Sequence, residues 1–379
     1  MSDSVVIVGG GIAGQAVCEA LRERDRDLAI TLVCGETSPP YDRVRLSEIL
    51  VSGEDPETLQ LRPAEWYADH DVELVLGRRV TSVDDDAGLV QLDDGQQLAF
   101  DKLVLATGSQ PLMPPIAGID LPGVHPFRGP EDCEAIRSAA AGGAKHAAVI
   151  GGGLLGLEAA RGIAAQGCAV TVIHLLDRLM ERQLDAGAAA LLAPALADLD
   201  IAIQFDRNTT AIVGPVQATG LHFKGGDRLS ADLVVVSVGI RPEIKLARAI
   251  GVDCERGIVV DDGMRTNKPG VWAVGECAQH RGIVYGLVAP IHDQARVAAA
   301  TLTAGDAAYL GSVPSAKLKV AGIDLVCAGE ANGEHEAVVT DAAAGIYRKL
   351  ATRAGRVVGA ILLGDTRGNE ALVAAVRSG

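Results

Sequence analysis

The chain opens on an unbroken apolar run, Val5-Val-Ile-Val8, followed by three glycines and then apolar residues at helical spacing from Ile12 to about Arg24. A second β-branched run follows at Ile30-Thr-Leu-Val33. Runs without polar alternation are those of strands buried on both faces, and strand, helix and strand in tight succession predict a parallel sheet. The pattern then repeats. Ala147-Ala-Val-Ile150 leads into Gly151-Gly-Gly153, a helical stretch from Leu154 to about Gln166, and a strand at Val170-Thr-Val-Ile173. The two sets of glycines are offset by 142 residues (151 − 9). That interval is too long for a solenoid repeat of about 20–50 residues and suits two separate βαβ domains.

Between the copies lie short alternating strands, Val72–Leu76, Gly88–Leu92 and Leu98–Phe100, then the apolar run Leu103-Val-Leu-Ala106. A proline-rich stretch from Pro111 to Pro122 reads as the crossing into a second domain, which ends after Leu233-Val-Val-Val236, near Arg241-Pro242. From Pro314 onward the pattern changes to antiparallel strands, at Lys317–Glu330, Glu336–Thr340, Gly345–Lys349 and Val357–Leu363. The expected fold is α/β, with two Rossmann-like dinucleotide-binding domains and a small C-terminal α+β domain. The expected boundaries are 1–111 with 240–311, 112–239, and 312–379.

Gly9-x-Gly11-x-x-Gly14 sits between a strand and a helix, where such glycines shape a tight turn, admit a pyrophosphate and let helix and strand pack closely. An acid is expected about 20 residues on, to take ribose hydroxyls. Glu36, 22 residues after Gly14, fills that place. The second copy, Gly151-x-Gly153-x-x-Gly156, has the same context, but its second strand runs into His174, with Arg178 nearby. With no carboxylate read at that point, repulsion of a 2′-phosphate is missing and NADPH stays open beside NADH. Two such turns imply two dinucleotides, a bound flavin and a diffusing nicotinamide, with hydride passing at the domain junction.

Composition narrows the class. Lys and Arg number 34 against 49 Asp and Glu, a net charge of −15, which argues against sequence-independent nucleic-acid binding and anionic membranes. No apolar run reaches the roughly 20 residues of a membrane span, and no export signal is read at the N-terminus. Seven scattered cysteines without a Cys-x-x-Cys pair make metal, Fe–S and disulfide frameworks poor expectations, and a reducing cytoplasm fits.

With these motifs in order, the sequence resembles the pyridine nucleotide–disulfide oxidoreductase superfamily over essentially its whole length. Gly9/Gly11/Gly14 looks like that family's FAD site. Ala106-Thr107-Gly108 looks like its linking motif, and Val271-Trp-Ala-Val-Gly275-Glu276-Cys-Ala278 like its second flavin motif, whose acid is usually Asp. Tyr41-Asp-Arg-Val-Arg-Leu-Ser47, His174–Asp185, Tyr285–Pro290 and Lys317–Asp324 resemble the N-terminal flavin portion of the bacterial NAD(P)H nitrite reductase large subunit and related rubredoxin reductases. The resemblance implies FAD as cofactor and NAD(P)H as co-substrate. It places Gly9, Gly11, Gly14, Glu36, Arg43, Ala106, Thr107, Gly108, Gly275 and Glu276 at FAD, with Arg43 on the pyrophosphate. It places Gly151, Gly153, Gly156, Glu158, His174, Arg178 and Gly239 at NAD(P), with Glu158 near the reacting rings as the candidate catalytic residue. Where ferredoxin-reducing relatives often carry a lysine after Leu-Ser, this chain has Glu48.

Disulfide reductases of the superfamily carry cysteines in the segment corresponding to Tyr41–Gly53, and here there is none. Electrons would then leave the flavin directly for an external redox protein of the rubredoxin, ferredoxin or nitrite/nitrate reductase type. Two alternatives stay open, an NADH oxidase or quinone diaphorase, and a non-catalytic flavoprotein sensor or subunit. Cys277 is read as packing before redox chemistry, and His292 as equally a site residue or a helix cap. No Cys-rich or sirohaem segment is read, so these residues alone are not expected to reduce nitrite. The third domain resembles the family's interface domain, which makes a homodimer an expectation.

Overall fold

A computed structural model describes residues 3–320 and 322–378. By backbone contacts the chain forms two compact units. The first comprises residues 1–44, 55–110 and 241–312, the second residues 45–54, 111–240 and 313–379.

The first unit holds a parallel five-stranded sheet in the order Val72–Val75, Ala29–Val33, Ser4–Val8, Lys102–Leu105, Val271–Ala273. The second holds another in the order Ile201–Gln204, Ala169–Ile173, His146–Ile150, Leu233–Val236, Val124–Pro126. Four positions correspond in chain order; the fifth does not, since Val271–Ala273 follows the other strands of its sheet in the chain whereas Val124–Pro126 precedes them. Register matches too: Val8 lies beside Val33 and Leu105, and Ile150 beside Ile173 and Val236. Each unit also carries a three-stranded antiparallel sheet, Val80–Asp84, Leu89–Leu92 and Gln97–Ala99 in one, Thr209–Val213, Gly220–Phe223 and Arg228–Ser230 in the other. The strand Val80–Asp84 escapes the sequence reading because its side chains are mostly exposed and polar.

The apolar runs explain the sheets. Val6, Ile7, Leu103 and Val104 are buried in the first core, and Ala148, Val149, Val234 and Val235 in the second unit. Helices Ile12–Arg24 and Leu154–Ala165 lie where the periodicity places them.

Arg45–Glu54 clusters with the second unit, where the sequence reading assigns it to the first. Its helix, Leu46–Ser52, packs against Leu154–Ala165 so closely that a Cβ on Gly162 would lie 2.4 Å from the Leu50 Cβ. Residues 315–363 form an antiparallel sheet in the order Ser315–Val320, Ile323–Gly329, Arg356–Leu363, Ile346–Arg353, His335–Asp341, with helix Asn369–Ser378 against it. The expected single run Lys317–Glu330 is a hairpin, turned where Gly322 takes φ +86°. Among the described residues no helix is long and apolar enough to cross a membrane.

Candidate functional site

The two glycine turns leave the carboxyl ends of the central strands. In the first, Gly9 has φ +125°, and a Cβ there would lie 2.1 Å from the Ala106 oxygen. A Cβ on Gly14 would lie 2.0 Å from the Gly9 oxygen. A Cβ on Gly11 would meet nothing within 4 Å. The second turn repeats each term. A Cβ on Gly151 (φ +121°) would lie 2.1 Å from the Ser237 oxygen, one on Gly156 2.0 Å from the Gly151 oxygen, and one on Gly153 would meet nothing within 4 Å. The outer glycines are thus required by the protein's own packing. The middle glycines are not, and the space in front of them lies open.

Both helices begin bare. Gly11 and Gly153 are the N-caps, no side chain caps either helix, and neither has an acid in its first turn. By contrast, Pro130–Ala141 starts with Asp132 accepting the N–H groups of Arg128 and Gly129. Uncapped N–H groups at the positive end of a helix dipole, with room before them, suit a diphosphate. Gly108 (φ +65°) and Gly239 (φ +125°) follow the strands beside the two turns and also face open space.

Around the first turn, Glu36 binds the Arg43 guanidinium through Oε1 at 2.6 Å and accepts from the Tyr41 hydroxyl through Oε2 at 2.9 Å. The Arg43 guanidinium lies 4.7 Å from the Tyr41 ring centroid. A carboxylate has about four lone-pair sites, so Glu36 retains acceptor capacity for ribose hydroxyls. Thr107 donates to the Glu243 carbonyl at 2.6 Å, fixing the Ala106–Gly108 turn. Gly275 donates its N–H to Gln294, and Glu276 Oε2 accepts from the Ser109 hydroxyl at 2.6 Å.

At the second turn the register relocates one expected residue. Val33 and Ile173 both end their strands, so His174 corresponds to Cys34, and the counterpart of Glu36 is Leu176. Cys34 lies beneath Gly10, and His174 lies beneath Gly152 in the same way, with its Cγ 2.8 Å from a Cβ placed there. The buried His174 ring accepts the Gly152 N–H at Nδ1, at 3.0 Å, and its Nε2 lies 3.3 Å from Glu181 Oε2. Counting from the strand's last residue, not from the first polar one, finds Leu176. Leu175 and Leu176 are 61% and 42% exposed, so apolar surface stands where the first turn has Glu36. Arg178 contacts its neighbour Asp177 at 3.1 Å.

Glu158 lies on the first turns of helix Leu154–Ala165. Burial pushes its carboxyl up to about 7, with Arg161 only partly offsetting. Glu48 is held by Arg45 at 2.6 Å. Cys277 is buried and donates to the carbonyls of Leu105 and Val274, and burial raises its pKa, so its environment opposes a thiolate. Cys34 is likewise pushed up to about 12. His292 is exposed inside helix Val288–Leu302 and does not cap it.

A family model described as pyridine nucleotide-disulphide oxidoreductase matches residues 3–301. The chain belongs to that family. Its homologues bind FAD and use NAD(P)H. Residues 314–379 match the rubredoxin NAD+ reductase C-terminal domain. Among curated family members, the nitrite reductase [NAD(P)H] of Bacillus subtilis (strain 168) is 43% identical over 96% of this chain and 46% of its own length. The assimilatory nitrate reductase electron transfer subunit of the same organism is 40% identical over 97% of this chain and 48% of its own. The chain therefore spans about half the length of these relatives. A solved family structure, the ferredoxin reductase for the CYP199A2 system from Rhodopseudomonas palustris, superposes with a TM-score of 0.89 at 31% identity, covering 96% of this chain and 91% of that one.

Proposed function

We propose that this chain is an FAD-dependent NAD(P)H oxidoreductase whose electrons leave for an external redox protein. The observation that carries the reading is the paired turn in which Gly9, Gly14, Gly151 and Gly156 are demanded by backbone packing, whereas Gly11 and Gly153 answer only to something outside the protein. Bound flavin supplies the ability to take a hydride from NAD(P)H and release electrons singly.

In this reading residues 1–111 and 240–311 hold FAD. The N–H groups behind Gly9, Gly11 and Gly14 take the diphosphate, and Glu36 takes ribose hydroxyls while its bonds to Arg43 and Tyr41 fix its direction. Ala106, Thr107 and Gly108 form a second wall, and Gly275 and Glu276, the latter oriented by Ser109, hold the flavin's polyol chain. Residues 112–239 admit NAD(P)H at Gly151, Gly153, Gly156 and Gly239, and residues 312–379 form the third domain. Glu158, retaining a proton near neutrality, lies beside the nicotinamide. His174 acts beneath the turn, and Arg178 stands on the loop at the ribose end, where Leu176 replaces an acid and NADPH is not repelled.

The acceptor is a small iron protein of the rubredoxin or ferredoxin kind, or a partner in nitrite or nitrate reduction. The family members above are named for such roles, and this chain has no cysteine between Tyr41 and Gly53 to store the electrons. Seven free thiols fit a cytoplasmic setting. Anaerobic titration with NADH and NADPH, followed by oxidised rubredoxin or ferredoxin, tests the reading. Bleaching of flavin absorbance and its prompt return with the iron protein are expected. Return only on admitting oxygen would favour an oxidase, and no bleaching would contradict the proposal.

A further inference from the structure

Within the second unit, a charge network centred on a buried lysine ties the C-terminal sheet to the loop that underlies the second glycine turn. Lys349, on strand Ile346–Arg353, is 5% exposed, and its ammonium bonds Asp185 at 2.9 Å and Glu336 at 2.8 Å. The Tyr347 hydroxyl donates to the same Asp185 oxygen at 2.6 Å. The other oxygen of Asp185 caps helix Ala186–Ala190 by accepting the Ala188 N–H. Gly187 leaves the Tyr347 ring its space, since a Cβ there would lie 2.8 Å from Cε2.

Asp185 ends the loop that begins at His174. That loop touches the glycine turn at three points. His174 Nδ1 accepts from Gly152, Met180 donates its N–H to the Gly152 carbonyl at 3.0 Å, and Leu179 fills the space a Gly152 side chain would need. Leu184, beside Asp185 in the chain, donates its N–H to the Met180 carbonyl at 2.9 Å, so chain and hydrogen bonds lead from the C-terminal sheet through Asp185 and Met180 to the backbone of Gly152. A buried lysine shared by two carboxylates has few alternative arrangements, because freeing Lys349 strands its charge away from water, while Glu336 faces solvent and Asp185 is half-buried.

We propose that Tyr347 and Lys349 are positioning residues for the nicotinamide nucleotide, holding the 174–185 loop and through it the Gly151–Gly153 turn. This rests on the reading of that turn as the NAD(P) site. Tyr347→Phe keeps the ring over Gly187 and removes only the bond to Asp185. Lys349→Met removes the shared cation.

The test compares wild type and both variants, loaded with FAD, by calorimetric titration with NADH and by limited trypsin digestion. The loop carries two trypsin sites, Arg178 and Arg182. Expected are an unchanged flavin content, a dissociation constant for NADH raised about fivefold or more, and faster cleavage after Arg178 or Arg182. KM should rise and the saturated rate of flavin reduction should stay put, a split that general destabilisation does not produce. Wild-type affinity and wild-type cleavage in a folded Tyr347→Phe protein would overturn the proposal, even if Lys349→Met fails to fold. A wild-type protein that binds FAD but no NADH would instead overturn the reading of the second turn, and the proposal with it.

Discussion

Glu158 holds its proton against the ordinary behaviour of a carboxyl, and the sign of the effect is fixed. Its pKa rises from 4.5 to about 7 on folding because burial penalises the charged form. The native state then binds the proton more tightly than the unfolded chain. The stability this contributes is present below about pH 4.5 and is lost as pH climbs through about 7. Glu158→Gln should flatten that slope and stabilise the protein above pH 7, by up to about 3 kcal/mol. Chemical denaturation at pH 5 and pH 8 measures it, and parallel pH profiles for the two proteins would refute the assignment. At the ribose end the informative residue is Leu176. Leu176→Glu should restore the carboxylate that the first turn has in Glu36 and shift the NADH/NADPH preference toward NADH by tenfold or so. An unchanged ratio of kcat/KM values would remove that position from specificity. Leu176 was not legible by eye, since an exposed leucine carries no chemical signature and His174 is the first polar residue after the strand. The pairing of Ile150 with Ile173, and the bond from the Gly152 N–H to its ring, show that His174 belongs under the turn.

Elements were the most readable scale. Apolar runs without alternation gave buried parallel strands, and both glycine turns were recognisable because strand, glycines and helix came in that order. Less readable were strands such as Val80–Asp84, whose exposure leaves little pattern, and the placement of helix Leu46–Ser52, which is decided by what it packs on. The glycines allow a prediction that separates folding from binding. Gly14→Ala drives a Cβ into the Gly9 carbonyl and should cost on the order of 3 kcal/mol of stability even without ligand. Gly11→Val meets open space in the protein, so the apoprotein should melt near the wild-type temperature yet retain no FAD. Gly153→Val should keep FAD and lose reduction by NAD(P)H. Differential scanning calorimetry of the apoproteins, flavin content after reconstitution, and anaerobic bleaching by NADH check all three. A Gly11→Val protein that stays loaded with FAD would break the argument from the open middle glycine.

Two of the molecule's parts are a duplication, and the C-terminal sheet stands outside it. Two sheets share the order of four strands and the register of the central ones, each with a three-stranded antiparallel insertion and a glycine turn with a bare helix behind it; their fifth strands come from opposite ends of the chain order. The difference lies in what surrounds the turns. The first has an acid held by Arg43 and Tyr41, suited to keeping its ligand. The second has exposed leucines and a loop tied to the C-terminal sheet, suited to exchange. That asymmetry was only half visible in the sequence, because Asp185 lies 162 residues from Tyr347 and 164 from Lys349 and meets them only in the fold. The most direct test of the account is the visible absorption spectrum of the purified protein, taken before and after incubation with FAD and desalting. It should show the two bands of an oxidised flavin, retained through desalting at close to one per chain. A protein that stays colourless after reconstitution would contradict the central claim.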